Sequence, residues 1–251
     1  MNATSDQFLA FFTLALLAIG VKMMFRDFKV LRMENTLRGN RPLLNAGDEQ
    51  RAIRNYQLAI ELTPRQEFKE ALRFLNEAEV QLASSGINNL PLLSGILNQQ
   101  ALCLLRGGEG GKGEKGRIVS YRKASTKQEI LELTGRSVNL AKLSGNEKAI
   151  LDALFTKASV LESLGMLSET ADCLRQSLEL AKSIYGKQSE EEGRLLNNLG
   201  HTLLKSCRYG ESLKCYAEAL TILERRTGRD SSLTAEARLG QVEALKGMNG
   251  Y

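Results

Sequence analysis

His201 is the only histidine in the 251-residue chain. General acid–base and nucleophilic catalysis need a base beside a nucleophile in a cleft. No HExxH, GxSxG or paired-carboxylate turn accompanies His201. The four cysteines, Cys103, Cys173, Cys207 and Cys215, show no CxxC spacing. They read as reduced packing thiols rather than metal ligands or a disulfide framework. Two overlapping GxGxxG matches, Gly108-Gly110-Gly113 and Gly111-Gly113-Gly116, lie in one glycine-rich run with no strand before it, so no dinucleotide site is expected. Lys112 is followed by Gly113 instead of Ser or Thr, which excludes a Walker A loop. Arg122-Lys123-Ala124-Ser125 matches a basophilic kinase pattern, one that recurs often by chance. The residue chemistry thus implies no metal, no cofactor and no enzyme.

Three prolines, no tryptophan and abundant Leu, Ala, Glu, Lys and Arg favour an all-helical chain. The net charge of +5 is concentrated in two short segments. Residues 22–41 carry Lys22, Arg26, Lys29, Arg32, Arg38 and Arg41 against Asp27 and Glu34, a net +4. Residues 106–123 carry another +4, which leaves −3 for everything else. A nucleic-acid reader spreads its charge along a folded face, so nucleic acid is not an expected partner.

The elements that position these residues follow from a self-match at 42 residues. Gly165, Leu167, Glu169, Cys173, Leu178 and Gly186 have counterparts at Cys207, Tyr209, Glu211, Cys215, Leu220 and Gly228. A fixed period of this size marks stacked copies of one supersecondary unit. Apolar residues follow helical spacing from residue 47 onward, interrupted at Gly86, Gly107-Gly108, Gly145, Gly165, Gly186 and Gly228. The pattern predicts hairpins over about 47–86, 91–145, 147–186 and 193–228, and a capping helix over 233–247. The second hairpin is split by a Gly/Lys-rich insertion, 107–125, whose glycines forbid a stable helix.

In the unit at 195–228, Leu199-Gly200, Leu203, Tyr209, Ser212, Tyr216 and Ala219 fall where a tetratricopeptide repeat (TPR) places Leu-Gly, a large residue, an aromatic, a small residue, an aromatic and Ala. Gly200 lets the first helix of the hairpin, helix A, approach the second, helix B. Tyr209 and Tyr216 fill the gap to the neighbouring hairpin. The chain resembles the TPR family over about 200 residues, and the long spacing with the LLNNLG string resembles kinesin light chain more than the ~34-residue form. It departs in lacking the helix-A Trp and the Pro that usually ends helix B. The resemblance implies an all-α, right-handed superhelix of antiparallel hairpins with helix A lining the concave groove. A peptide or helix of a protein partner would bind there. The implied contacts, solvent-facing positions on helix A, are Asn98 and Gln99; Phe155, Ser159 and Glu162; and Arg194, Asn197, Asn198, His201 and Lys205. Side-chain amides suit this role because they both donate to and accept from an extended backbone.

Phe8 to Val21 carries no charge, and through Phe25 the apolar run is 18 residues, near the lower limit for spanning a bilayer. Lys22 snorkels. The reading is a seven-residue tail, a transmembrane helix at 8–25 and a basic juxtamembrane linker at 26–46. A cleaved signal peptide is the alternative, with Ala18-Ile19-Gly20 as its cleavage site, although MNATSDQ has no basic residue. All Lys and Arg near the span lie on its C-terminal side. The positive-inside rule therefore translocates the short N-terminus and keeps the repeats on the cytosolic or stromal side. The six cations of 22–41 would sit over anionic head groups, or act as a topology signal alone.

These readings combine into a membrane-anchored scaffold, serving as a docking adaptor or an assembly factor for a membrane complex. Thylakoid TPR proteins that help build photosystem I look similar in layout, but no transit peptide is visible. A permanent accessory subunit and a soluble motor-cargo adaptor are the alternatives. The family's carboxylate clamp for chaperone tails wants Lys and Asn where this chain has Phe155 and Ser159. Fluorescence titration with such an acidic tail peptide is expected to show no binding in the micromolar range, and micromolar affinity would overturn that expectation.

Overall fold

The computed structural model describes residues 46–85, 88–108 and 123–250. Among them the chain forms nine α-helices: α1 Ala46–Leu62, α2 Phe68–Ser85, α3 Leu90–Gly108, α4 Lys123–Ser144, α5 Glu147–Ser163, α6 Leu167–Tyr185, α7 Glu190–Lys205, α8 Tyr209–Arg226 and α9 Ser232–Asn249. The pairs α1–α2, α3–α4, α5–α6 and α7–α8 pack as hairpins, and α9 lies against α8 and α7. The result is an all-α helical-repeat solenoid. No helix among the described residues is long and apolar enough to cross a membrane. The apolar segment 8–25 and the tail and linker around it lie outside the described residues, save for Ala46, which opens α1. The helices reach further into the glycine-rich insertion than the sequence suggests. α3 continues through Gly107 and Gly108, and α4 starts at Lys123. Gly107 is helical beside Phe68, whose Cβ would lie 3.3 Å from a Cβ at Gly107.

Four first helices open on a side-chain cap. The Asn89 carboxamide oxygen accepts from the Leu92 N–H at 3.0 Å. Asn146 accepts from Ala149 at 3.1 Å, Ser189 from Glu192 at 3.3 Å and Ser231 from Thr234 at 3.2 Å. Each satisfies one amide left unpaired at a helix start. Three of the hairpin turns close with one geometry. Gln66, Gly165 and Cys207 have φ of 63°, 75° and 56°. In each, the left-handed residue donates to the carbonyl three back: Gln66 to Thr63, Gly165 to Glu162 and Cys207 to Leu204. The following residue donates five back: Glu67 to Leu62, Met166 to Leu161 and Arg208 to Leu203. This is the Schellman pattern, which favours glycine at the left-handed site. The 42-residue match of Gly165 with Cys207 is therefore a match of backbone conformation.

Packing depends on small residues where helices cross. Ala59, Ala101, Ala158 and Gly200 occupy the crossing position of α1, α3, α5 and α7, and the three alanines are at most 2% exposed. In three hairpins the second helix answers twelve and nineteen residues later, with Ala71 and Ala78, Thr170 and Ser177, and Ser212 and Ala219, all at most 1% exposed. The Ser212 hydroxyl donates to the Gly200 carbonyl at 2.7 Å. Tyr216 lies between two glycines. A Cβ at Gly200 would sit 3.0 Å from its ring, and a Cβ at Gly240 of α9 would overlap it. One heptad along, a Cβ at Gly247 would overlap the Tyr209 ring. The two tyrosines of α8 thus seat α9 on two glycines of one helix face. The outward side of α9 leaves Leu239, Val242, Leu245 and Met248 exposed, so this cap is less polar than a cap's role requires.

The first helices also touch one another. α1 packs on α3, α3 on α5 and α7 on α9, whereas no successive pair among α2, α4, α6 and α8 packs comparably. The layer made by α1, α3, α5, α7 and α9 is therefore the compressed side of the array, except between α5 and α7, which are joined through long side chains. The left-handed turns yield a direct test. A left-handed non-glycine residue costs about 1 kcal/mol, so Cys207→Gly is expected to raise stability by about 0.5–1 kcal/mol. Gly165→Ala meets no atom within 4 Å and so isolates the backbone term. It is expected to lower stability by about 1 kcal/mol, read from chemical denaturation midpoints at constant m-value.

Candidate partner-binding face

α3, α5 and α7 each pack against their own partner helix and at least two further helices. What remains is one strip per helix on the compressed layer. On α5 the strip carries Asp152, Phe155, Ser159 and Glu162, spaced three and four apart. Phe155 is 37% exposed, large for an aromatic residue on a polar strip. The Ser159 hydroxyl donates to the Phe155 carbonyl at 3.1 Å, so it is engaged locally. On α7 the strip carries Arg194, Asn198, His201 and Lys205. Arg194, His201 and Lys205 are exposed and Asn198 is half-buried. On α3, Gln99 is half-buried.

Two of the ten residues expected to face solvent do not. Asn98 is 6% exposed, and its carboxamide oxygen accepts from the Ser137 hydroxyl at 2.7 Å. It belongs to the α3–α4 interface. Asn197 is 8% exposed, and its carboxamide oxygen has no hydrogen-bond partner among the described residues. Adjacent helical residues lie about 100° apart, so Asn198 keeps its place on the strip while Asn197 turns into the interior. The six cations Lys22, Arg26, Lys29, Arg32, Arg38 and Arg41 lie outside the described residues.

The structure brings three of the named residues together. The Glu162 carboxylate on α5 is 2.8 Å from Lys205 Nζ and 3.1 Å from His201 Nδ1, both on α7. The hydrogen bond from His201, and then that from Lys205, hold the Glu162 carboxyl down to about 2 against the opposing effect of burial. This ion-pair cluster ties two hairpins across the face. Arg194 lies about two turns before His201 on α7 and Asp152 lies on the same face of α5, so the face carries both signs of charge.

Sequence reasoning missed Asp152 and Tyr56. Burial raises the Asp152 carboxyl, with Lys148 acting against it. Burial also raises the Tyr56 phenol, and the Asp152 charge adds to that. Tyr56 reaches from α1 past Gly95 of α3, where a Cβ would come within 2.9 Å of its hydroxyl oxygen. The signal for Asp152 was present, because it precedes Phe155 by three residues on the same face. Tyr216 repeats the theme at the other end, where burial and then Glu243 push its phenol up to about 12. Among the described residues, no group of three or more His, Cys, Asp or Glu side chains is placed to hold a metal ion.

Comparison with known proteins agrees with this geometry. The tetratricopeptide-repeat family description matches residues 149–225, the hairpins α5–α6 and α7–α8. The TPR-like repeats of a candidate kinesin light chain from Podosopora anserina superpose with a TM-score of 0.63 at 12% identity, covering 80% of this chain and 87% of that one. BtubC (BKLC) from P. vanneervenii superposes with a TM-score of 0.63 at 14% identity, covering 86% of this chain and 84% of that one. No curated protein matches the sequence. Residues 149–225 are tetratricopeptide repeats, and the array has the kinesin-light-chain-like form of that fold. Such an array is a scaffold suited to protein–protein interaction.

The Glu162 cluster gives a pH-dependent test. The folded carboxyl sits near 2 against its ordinary 4.5. Its contribution is therefore complete above pH 4.5 and is lost as pH falls toward 2. Glu162→Gln is expected to cost about 0.5–1 kcal/mol at pH 7, discounted for the exposure of both cations. Urea titrations at pH 7 and pH 3 are expected to show the wild-type advantage shrinking at the lower pH.

Proposed function

We propose that the chain is a membrane-anchored TPR scaffold that holds its repeats beside a bilayer and captures a protein partner on the compressed face. It would serve as a docking adaptor or as an assembly factor for a membrane protein complex. The carrying observation is the strip of polar and cationic side chains on α5 and α7, with Phe155 exposed at its edge. A partner segment is recognised there through backbone hydrogen bonds from Asn198 and Gln99, one aromatic contact and an acidic group drawn to Arg194 and Lys205. The uncharged run 8–21, with six cations between residues 22 and 41, supports the anchor and the orientation.

A second reading, a soluble motor-cargo adaptor, is favoured by the shared fold with the candidate kinesin light chain repeats. The apolar run weighs against it. Alkaline carbonate extraction separates the two, since an anchored protein stays in the pellet and a soluble adaptor is released. For the face itself, the combined variant Arg194→Ala, Asn198→Ala and Lys205→Ala is expected to lower partner recovery about 10-fold or more in co-purification from mild detergent. The unfolding midpoint of that variant should stay close to wild type. Unchanged recovery would place the partner elsewhere on the array.

A further inference from the structure

The α3–α4 hairpin departs from the others at the positions that hold them together. Where α2, α6 and α8 place Ala71, Thr170 and Ser212, α4 places Ile130. Where they place the wedge residues Leu75, Leu174 and Tyr216, α4 places Thr134, equally buried but with a hydroxyl that donates back to the Ile130 and Leu131 carbonyls of its own helix. One turn later the contact is polar. The Ser94 and Ser137 hydroxyls lie 2.9 Å apart, each also reaches the other's backbone carbonyl, and Ser137 donates to Asn98. Between Thr134 and Ser137, Gly135 faces open space, with nothing within 4 Å of a Cβ built on it.

The apolar core divides at the same place. One cluster runs through α1, α2 and α3, and the other through α5 to α9. The buried apolar residues of α4, Ile130, Val138 and Ala141, fall in two small clusters, and α4 touches the larger core through the half-buried Leu131. The tie from α4 back to α2, Arg136 to Glu79 at 3.2 Å, is partly solvent-exposed and contributes little. α3 meanwhile packs directly on α5, through Ala101 and Val160.

We propose that α4 opens as a local unit while the rest of the array stays folded, its two apolar bodies held together through α3 and α5. The hydrogen bonds of Ser94, Asn98 and Ser137 are exchanged for bonds to water when α4 leaves, at small net cost. The apolar side chains uncovered, chiefly Ile130 and Val138, sit in small clusters rather than in either of the two large cores. The opening bares the flank of α5 that carries Ala153, Leu154 and Val160. It also leaves the angle between the first hairpin and the Phe155 strip to the α3–α5 contact alone. α4 is thus the low-stability segment of the scaffold.

Native-state hydrogen exchange on the full chain in mild detergent tests this. Amides of residues 130–144 are expected to exchange through a sub-global opening, at least 10-fold faster than those of α6 and α8. Gly135→Ala fits the open face and favours the helix by about 1 kcal/mol, roughly a 5-fold change. It is expected to slow exchange in α4 by about that factor and to leave α6 and α8 unchanged. Equal protection of α4, α6 and α8 in the wild type, or equal slowing of all three in the variant, would overturn the proposal.

Discussion

Close approach of helix pairs at small residues is the constraint on which the rest of the molecule depends. Ala59, Ala101, Ala158 and Gly200 let each first helix meet its partner backbone to backbone. Only at such distances does a wedge such as Tyr216 fill the remaining gap without a void. Because each hairpin buries its apolar side against the next, stability is passed from neighbour to neighbour. The ends, with a neighbour on one side only, need a cover of their own. At the C-terminal end the two tyrosines of α8 lock α9 onto glycines of one face, and the chain has no large side chain there that would push the cap away.

The binding face is a by-product of the same constraint. Packing a first helix against several others leaves one strip, and stacking aligns the strips of successive first helices. The strips of α5 and α7 are joined by the Glu162 cluster, so the spacing of Phe155 from Arg194 and Lys205 is fixed by an electrostatic tie as well as by packing. A preformed face reduces the ordering cost that a flexible surface would incur on binding. At the α3 end the tie to the next strip is absent and the α3–α4 interface is built from hydroxyls and an amide, so the face is rigid along α5 and α7 and softer toward Gln99.

Much of the fold could be read from the chain. The 42-residue match works because Thr170, Leu174, Ser177 and Ala181 of α6 are buried at the same places as Ser212, Tyr216, Ala219 and Leu223 of α8, and because the left-handed turn recurs at Gly165 and Cys207. Glycine as a helix breaker misled at Gly107 and Gly108, which stay helical, the first of them beside Phe68. The site was less legible. Asn98 and Asn197 carry the right chemistry one position away from the strip, and sequence spacing alone does not say which of two adjacent amides the packing of the helices covers. The roles of Gly240 and Gly247 were hidden for the same reason, since each is defined by a tyrosine on another helix.

The close-approach account is tested most directly by a double-mutant cycle on Tyr216 and Gly240, with Gly240→Ala measured by chemical denaturation in the wild-type and Tyr216→Leu backgrounds. A methyl group at residue 240 would overlap the ring, so Gly240→Ala is expected to cost about 1–3 kcal/mol when the tyrosine is present. Most of that cost should vanish when the ring is gone, giving a coupling energy of at least ~1 kcal/mol. Additive effects, equal within ~0.5 kcal/mol in the two backgrounds, would show that the ring does not occupy the space between the two glycines and would contradict the account.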